Sequence, residues 1–319
     1  MRIMMNSSQV SYFTLTAYLD SGALKYLLFP VFVFLYVFII VANVLLIVVI
    51  CVNRSLHEPM YMFLCSLFVN ELHGSTGLFP FLLIQILSDV HTVSAPLCFL
   101  QIFCLHTYLT VEFTNLAVMS YDRYLAICCP LQYHTHMNPS KILLLIALIW
   151  VFPFFGIIVL ISLSAPLQLC GNIINKVYCD NYSIVKLACS DTTVNIYGLI
   201  STSLTTICFV SLIFYTYMRI LKVCFSGSKQ TRQKAVSTCT PHFVSLLNFS
   251  CGSFFEIVQS RFNMRHVPIM FRIFLSLYWL ICPPLFNPVL YGLNLTKIRV
   301  SCKILIFGKM LKTKTHTFY

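Results

Sequence analysis

Seven long apolar windows, separated by short polar ones, dominate the chain: Tyr26–Val52, Pro59–Leu87, Pro96–Tyr121, Lys141–Ser164, Thr193–Leu221, Lys234–Val258 and Pro268–Tyr291. Each reaches the roughly 20 residues that an α-helix needs to cross the hydrocarbon of a bilayer. Such segments must be helical, because an open strand or loop would leave backbone N–H and C=O groups unpaired in lipid. A membrane β-barrel would instead show strict alternation over about 10 residues per strand, and the windows do not alternate. The pattern therefore predicts an all-α membrane protein, a seven-transmembrane helix bundle. Basic residues recur with apolar ones from Lys297 to Lys312, which predicts a short cytoplasmic amphipathic helix at the membrane surface. The chain divides into an extracellular tail (1–25), the transmembrane domain (26–291) and a cytoplasmic helix and tail (292–319), with no internal repeat.

Composition agrees. Charged residues make up 9% of the chain and hydrophobic ones 59%, against about 25% charged in a typical soluble domain, which excludes a soluble enzyme. The net charge of +12 does not signal nucleic acid, because the basic residues are not gathered on one soluble module. They follow topology. Arg54, Arg123, Lys141, Arg219, Lys222, Lys229, Arg232, Lys234 and the cations from Lys297 onward share one side. Arg2, Lys25, Lys176, Lys186, Arg261, Arg265 and Arg272 fall on or near the other. The richer side, with the C-terminus, is cytoplasmic by the positive-inside bias. The first residues lack the apolar run of a cleavable signal peptide, so the first span is expected to direct its own insertion. Glycosylation sequons stand at Asn6 and Asn181 on the outer side, and that at Asn6, in the tail, is preferred. Cys98, Cys170, Cys179 and Cys189 also lie outside, where disulfides form. Four cysteines allow three pairings, and spacing does not choose among them. Cys239 and His242 lack a second ligand pair, so no metal is expected there.

Within the spans, polar groups are few and costly. Glu71 and Glu112 lie on the second and third spans, with Asn43, Asn115 and Asn287 as polar neighbours. Two carboxylates in one low-dielectric bundle share a proton, take a small cation, or form a hydrogen-bonded packing knot. Asp122 and Arg123 close the third span, either as an interface anchor or as a latch that holds a resting arrangement. Pro283, Pro284 and Pro288 beside Asn287 remove backbone donors and give the seventh span a point of bending.

At these residues the sequence resembles a rhodopsin-like (class A) G-protein-coupled receptor, and more narrowly a vertebrate odorant receptor. Pro59-Met60-Tyr61-Met62-Phe63-Leu64 opens the second span. Met119-Ser120-Tyr121-Asp122-Arg123-Tyr124-Leu125-Ala126-Ile127-Cys128 is similar to the family's MAYDRYLAIC. Lys234-Ala235-Val236-Ser237-Thr238-Cys239-Thr240-Pro241-His242 resembles its KAxSTCxxH, and Asn287-Pro288-Val289-Leu290-Tyr291 its NPxxY. The stretches Asn70-Glu71-Leu72 and Leu78-Phe79-Pro80 look most like the fish-type branch.

The resemblance implies disulfides Cys98–Cys179 and Cys170–Cys189. It implies G-protein coupling and an activation switch at Asp122, Arg123, Tyr124, Tyr215, Lys234, His242, Asn287, Pro288 and Tyr291. It also implies a sodium or proton site at Glu71 and Glu112, a bound sodium ion being the one cofactor considered. Glu71 departs from the commoner Asp, and Ser250 stands near a place where an aromatic often lines the pocket floor. Ligand contacts are expected at His106, Leu109, Thr110, Phe113, Leu199, Ser203, Phe249 and Cys251, with core packing the alternative at each. Arg261, Arg265 and Arg272 are set either to attract an anionic ligand or to face headgroups. Cys302 is a candidate for acylation.

The expected function is binding of a small odorant within the bundle and activation of a heterotrimeric G protein of the stimulatory, cyclic-AMP-raising kind. A non-olfactory class A receptor is the first alternative and an ion-coupled transporter or channel the second. No nucleophile and base form an enzymatic constellation.

Overall fold

The computed structural model describes residues 10–18, 24–189, 193–226, 229–261, 267 and 269–305. The spans are α1 (Leu24–Val52), α2 (Pro59–Leu87) and α3 (Ala95–Cys128), then, after a one-turn helix α4 (Tyr133–His136), α5 (Pro139–Ser164). A short outer helix α6 (Asn181–Val185) precedes α7 (Thr193–Ser226), α8 (Lys229–Arg261) and α9 (Ile269–Asn294). Helix α10 covers 296–305. Five of these, α1, α2, α3, α5 and α9, are long and apolar enough to cross a membrane by length and composition. Helices α7 and α8 have 34 and 33 residues, ample for about 30 Å of hydrocarbon at roughly 1.5 Å per residue.

Local chemistry explains the helix starts. Pro59 and Pro139 occupy first-turn positions, where a missing N–H is harmless, and the Asn138 side chain accepts from the Lys141 N–H at 2.9 Å. Prolines also lie inside α1, α2, α5, α8 and α9, which a membrane helix tolerates where neighbouring groups re-satisfy the backbone. Asn43 does so beside Pro284, donating to its carbonyl at 3.0 Å.

Helix α3 is the central post, packed on α2, α5, α7 and α8, while α1 rests on α2 and α9, and α8 on α9. Phe63, Phe68, Phe79, Tyr108, Phe249 and Tyr291 are fully enclosed. Outward faces carry Phe34, Leu143, Phe155 and Phe214 exposed. An apolar girdle of this extent would be an aggregation surface in water, and here it meets lipid. Helix α10 turns Ile298 inward with Cys302 and Leu305 packed beside it, and leaves Arg299 and Lys303 outward, the two-faced arrangement the sequence predicts. Lys297 reaches Glu58 at 2.6 Å.

Outside the membrane, three short strands make a lid. Strand β1 (Tyr12–Leu15) lies between β2 (Thr92–Ser94), antiparallel, and β3 (Ile173–Ile174), parallel. Cys98 bonds Cys179, tying α3 to the outer loop, and Cys170 bonds Cys189 within it.

Candidate functional site

Polar side chains gather at three depths. The outermost cluster joins the loop after α5 to α3 and α8. Lys176, 9% exposed, places Nζ 2.5 Å from Glu256 Oε1, 3.1 Å from Asp180 Oδ2 and 2.9 Å from Ser260 Oγ. Asp180 also caps α6 by accepting from Ser183 N and Oγ, and its Oδ1 faces His106 Nε2 at 3.7 Å. Burial opposes charge on both loop residues. Against it, Asp180 and Glu256 raise the Lys176 ammonium above its ordinary value. Lys176 likewise holds the Asp180 carboxyl below its own, against burial.

The middle cluster is a knot of α2, α3, α8 and α9. Asn287 Nδ2 donates to Glu71 Oε1 at 2.5 Å and to Glu112 Oε1 at 3.3 Å. Asn70 donates to Glu112 Oε2 at 2.9 Å and to the Tyr108 carbonyl. The Tyr108 hydroxyl donates to Glu71 Oε2 at 3.2 Å, and Ser245 to Asn287 Oδ1 at 2.8 Å. Every carboxylate oxygen therefore has a donor, and both glutamates are wholly buried. No cationic side chain pairs with either among the described residues. Two buried carboxylates without a counter-charge require a shared proton or a bound cation. The Asn70 Oδ1 atom, enclosed and without a partner, is a further hard oxygen suited to a small cation.

At the inner end, Arg123 bonds Asp122 through Nε at 2.9 Å and through Nη2, and Tyr133 donates to Asp122 Oδ1 at 2.7 Å. Asp122 is fully buried and the Arg123 side chain nearly so. The Tyr291 hydroxyl lies 3.2 Å from His242 Nδ1, joining α9 to α8, and the Tyr124 and Tyr215 rings approach at 6.4 Å.

A family model described as "Olfactory receptor" matches residues 32–309. The chain belongs to the olfactory receptor family. Human olfactory receptor 11A1 is 35% identical over 95% of this chain and 96% of its own. Human olfactory receptor 52D1 is 35% identical over 86% and 88%, and mouse olfactory receptor 4E2 is 32% identical over 94% and 96%. The fold matches squid rhodopsin with a TM-score of 0.72 at 16% identity, covering 88% of this chain and 80% of that one. This olfactory receptor is thus a multi-pass plasma-membrane protein of the class A kind, with its N-terminus outside and its C-terminus inside, and it is not an enzyme.

Of the expected ligand contacts, His106, Thr110 and Phe113 share one face of α3 by their spacing, and Phe113 reaches Phe249 of α8 while His106 faces Asp180. Phe113 and Phe249 meet edge to face at 4.9 Å. Thr110 donates to the His106 carbonyl, and Leu109 packs at the edge of the core. Cys251 is exposed, on the opposite side of α8 from Phe249, so it does not join them. The side chains of Leu199, Ser203 and Lys234 lie outside the described residues, as do Asn6 and Arg265. Arg261 lies over the Tyr182 ring at 3.8 Å. Arg272 makes no ion pair among the described residues, and its buried Nε has no partner. Asn181 of the second sequon is buried at the start of α6, where a glycan has no room.

Sequence reasoning missed Lys176, Asp180 and Glu256 as a unit, Asn70 and Tyr108 in the knot, and Tyr133 on Asp122. One signal was readable. Phe249, Ser253, Glu256 and Ser260 recur every three or four residues, which puts them on one face of α8.

Proposed function

We propose that this olfactory receptor binds a small odorant beneath the outer lid and answers by activating a heterotrimeric G protein of the stimulatory kind, raising cyclic AMP. The observation that carries the reading is the chain of polar groups connecting the ligand-side face of α3 and α8 to the inner surface. The knot of Glu71, Glu112, Asn70 and Asn287 sits midway, and Asn287, Pro288 and Tyr291 continue it along α9 to His242. Ligand binding shifts such a bundle only by its differential affinity for two arrangements. A knot that joins four helices is a suitable bistable element. In this reading the Asp122–Arg123 pair, steadied by Tyr133, is the resting latch. Its release gives Arg123 to the G protein, with Tyr215, Tyr124, Lys234 and Tyr291 around it. The two glutamates hold a proton or a sodium ion in the resting form, and the tail before α1 carries its glycan at Asn6.

The test is cyclic AMP accumulation in cells displaying the receptor at their surface, against a broad panel of volatile and water-soluble small molecules, with Arg123→Ala beside it. A ligand response abolished by Arg123→Ala at equal surface expression is the expected result. A response that survives the substitution overturns the latch, and ligand-evoked ion flux without G protein overturns coupling.

A further inference from the structure

The outer cluster is unbalanced. Among the described residues Lys176 is the one cation that pairs with the two carboxylates, Asp180 and Glu256, so among them one negative charge is left over in a buried place. Arg261 is spent on the Tyr182 ring and Arg272 pairs with neither carboxylate among the described residues. Uncompensated charge away from water is strongly unfavourable, so the site calls for a second cation.

His106 shows where that cation belongs. Its Nδ1 lies 3.0 Å from the Ile102 carbonyl. A carbonyl only accepts, so Nδ1 carries the proton, and in the neutral ring Nε2 is an acceptor. That lone pair faces Asp180 Oδ1 at 3.7 Å. Two acceptors facing one another need a donor between them. An ammonium nitrogen about 2.9 Å from each, the usual hydrogen-bond length, reaches both from one side of the gap. Ser253 supplies an independent sign of a ligand. Its hydroxyl is enclosed, 6% exposed, and has no partner. It stands one turn below Glu256 and one turn above Phe249, on the face of α8 that meets α3 through the Phe113–Phe249 contact.

An anion fits worse. All three Lys176 N–H donors are taken by Asp180, Glu256 and Ser260, and a ligand carboxylate would bring a third negative charge to one ammonium. We propose that the receptor's ligand is a small protonated amine, its ammonium held by Asp180 and His106 beside Glu256, its short apolar body lying on Phe113 and Phe249. The proposal rests on the receptor reading above and names the chemical class that its pocket recognises.

The experiment uses the full-length receptor and three matched series with propyl to hexyl chains: n-alkylamines, n-alkanols and n-alkanoic acids. Purified receptor is followed by thermal unfolding, and receptor in cells by cyclic AMP. The amines are expected to raise the unfolding midpoint and to act at concentrations roughly tenfold or more below the alcohols. E256Q and D180N are each expected to erase most of that advantage and bring amine and alcohol potencies together. Because Asp180 also caps α6, E256Q, which leaves that cap in place and keeps an acceptor oxygen for Lys176, decides if D180N fails to reach the surface. Should neither variant fold, the wild-type comparison of amine with alcohol still decides. Alcohols or acids that match or outdo the amines, on either readout, overturn the amine site and leave the receptor reading standing. Amines that stabilise the purified receptor without any cyclic AMP response uphold the site and overturn the coupling.

Discussion

Asn287 is the residue on which the middle of the bundle turns, since its amide bonds both buried glutamates and its carbonyl takes the Ser245 hydroxyl. Asn287→Ala strands these groups, and each buried partner left unsatisfied costs about 1–3 kcal/mol. A marked fall in the unfolding midpoint of purified receptor is expected, and an unchanged midpoint would show that the knot relaxes around the loss. Gly252 poses a steric demand instead. A Cβ there would lie 2.8 Å from Trp279 Cβ and 3.1 Å from its Cα, and backbone cannot swing aside. Gly252→Ala should therefore open the α8–α9 contact at a cost of about 1–3 kcal/mol, read as reduced surface expression with partial rescue at lower temperature. What was legible at this scale was which residues are expensive: Glu71, Glu112, Asp122 and Arg123 stand out in any apolar window. Their partners were not, because Asn287 and Glu71 lie 216 positions apart and no local pattern announces the contact. Cys251 was misjudged for a related reason, since a shift of two residues along α8 turns a side chain from the bundle to the lipid.

Among the elements, the order and number of the spans follow from sequence, because bilayer thickness sets a minimum helix length and proline marks the starts of α2 and α5. Helices α3 and α7, however, run on past the apolar windows to Cys128 and Ser226, and α8 begins early at Lys229, where polar inner turns continue the helix. The outer loop does not follow, since its conformation comes from two disulfides, a strand pairing and the Lys176 cluster. Four cysteines left three pairings open until the resemblance favoured one. Its electrostatics give a pH test with a definite sign. The Asp180 carboxyl is held below its ordinary 3.8 in the fold despite burial, by Lys176. Its support is present above that value and lost as pH falls through the lower folded one. The Lys176 ammonium is raised above 10.5 by Asp180 and Glu256, again despite burial. Its support is present below 10.5 and lost as pH rises through the folded value. The protection factors of amides 173–185, with base-catalysed intrinsic exchange divided out, should thus stay level from weak acid to weak base and fall only outside that window. A loss of protection near neutrality would mean that His106 governs the loop instead.

The molecule as a whole is an apolar cylinder with a charged thread inside it, and lipid rather than water is its solvent. Phe155 of α5 is 67% exposed on that cylinder. Phe155→Arg should cost about 2.5–3.5 kcal/mol if it meets the middle of the membrane, seen as retention inside the cell. Reversing the exposed Glu58–Lys297 pair should change stability by less than about 1 kcal/mol. The lid sets a different condition, one of timing. Strand β1 leaves the ribosome before either partner, and its parallel partner at Ile173–Ile174 is made some 160 residues later, after α1, α2, α3 and α5. Strand β1, paired with β2 on one edge once Ser94 has been made, must therefore wait, translocated and with its other edge open, until the loop after α5 is complete. Quality control in the secretory pathway meets this protein as an open vessel whose cover closes late, and a lengthened or sticky N-terminus would be judged there before any ligand could be.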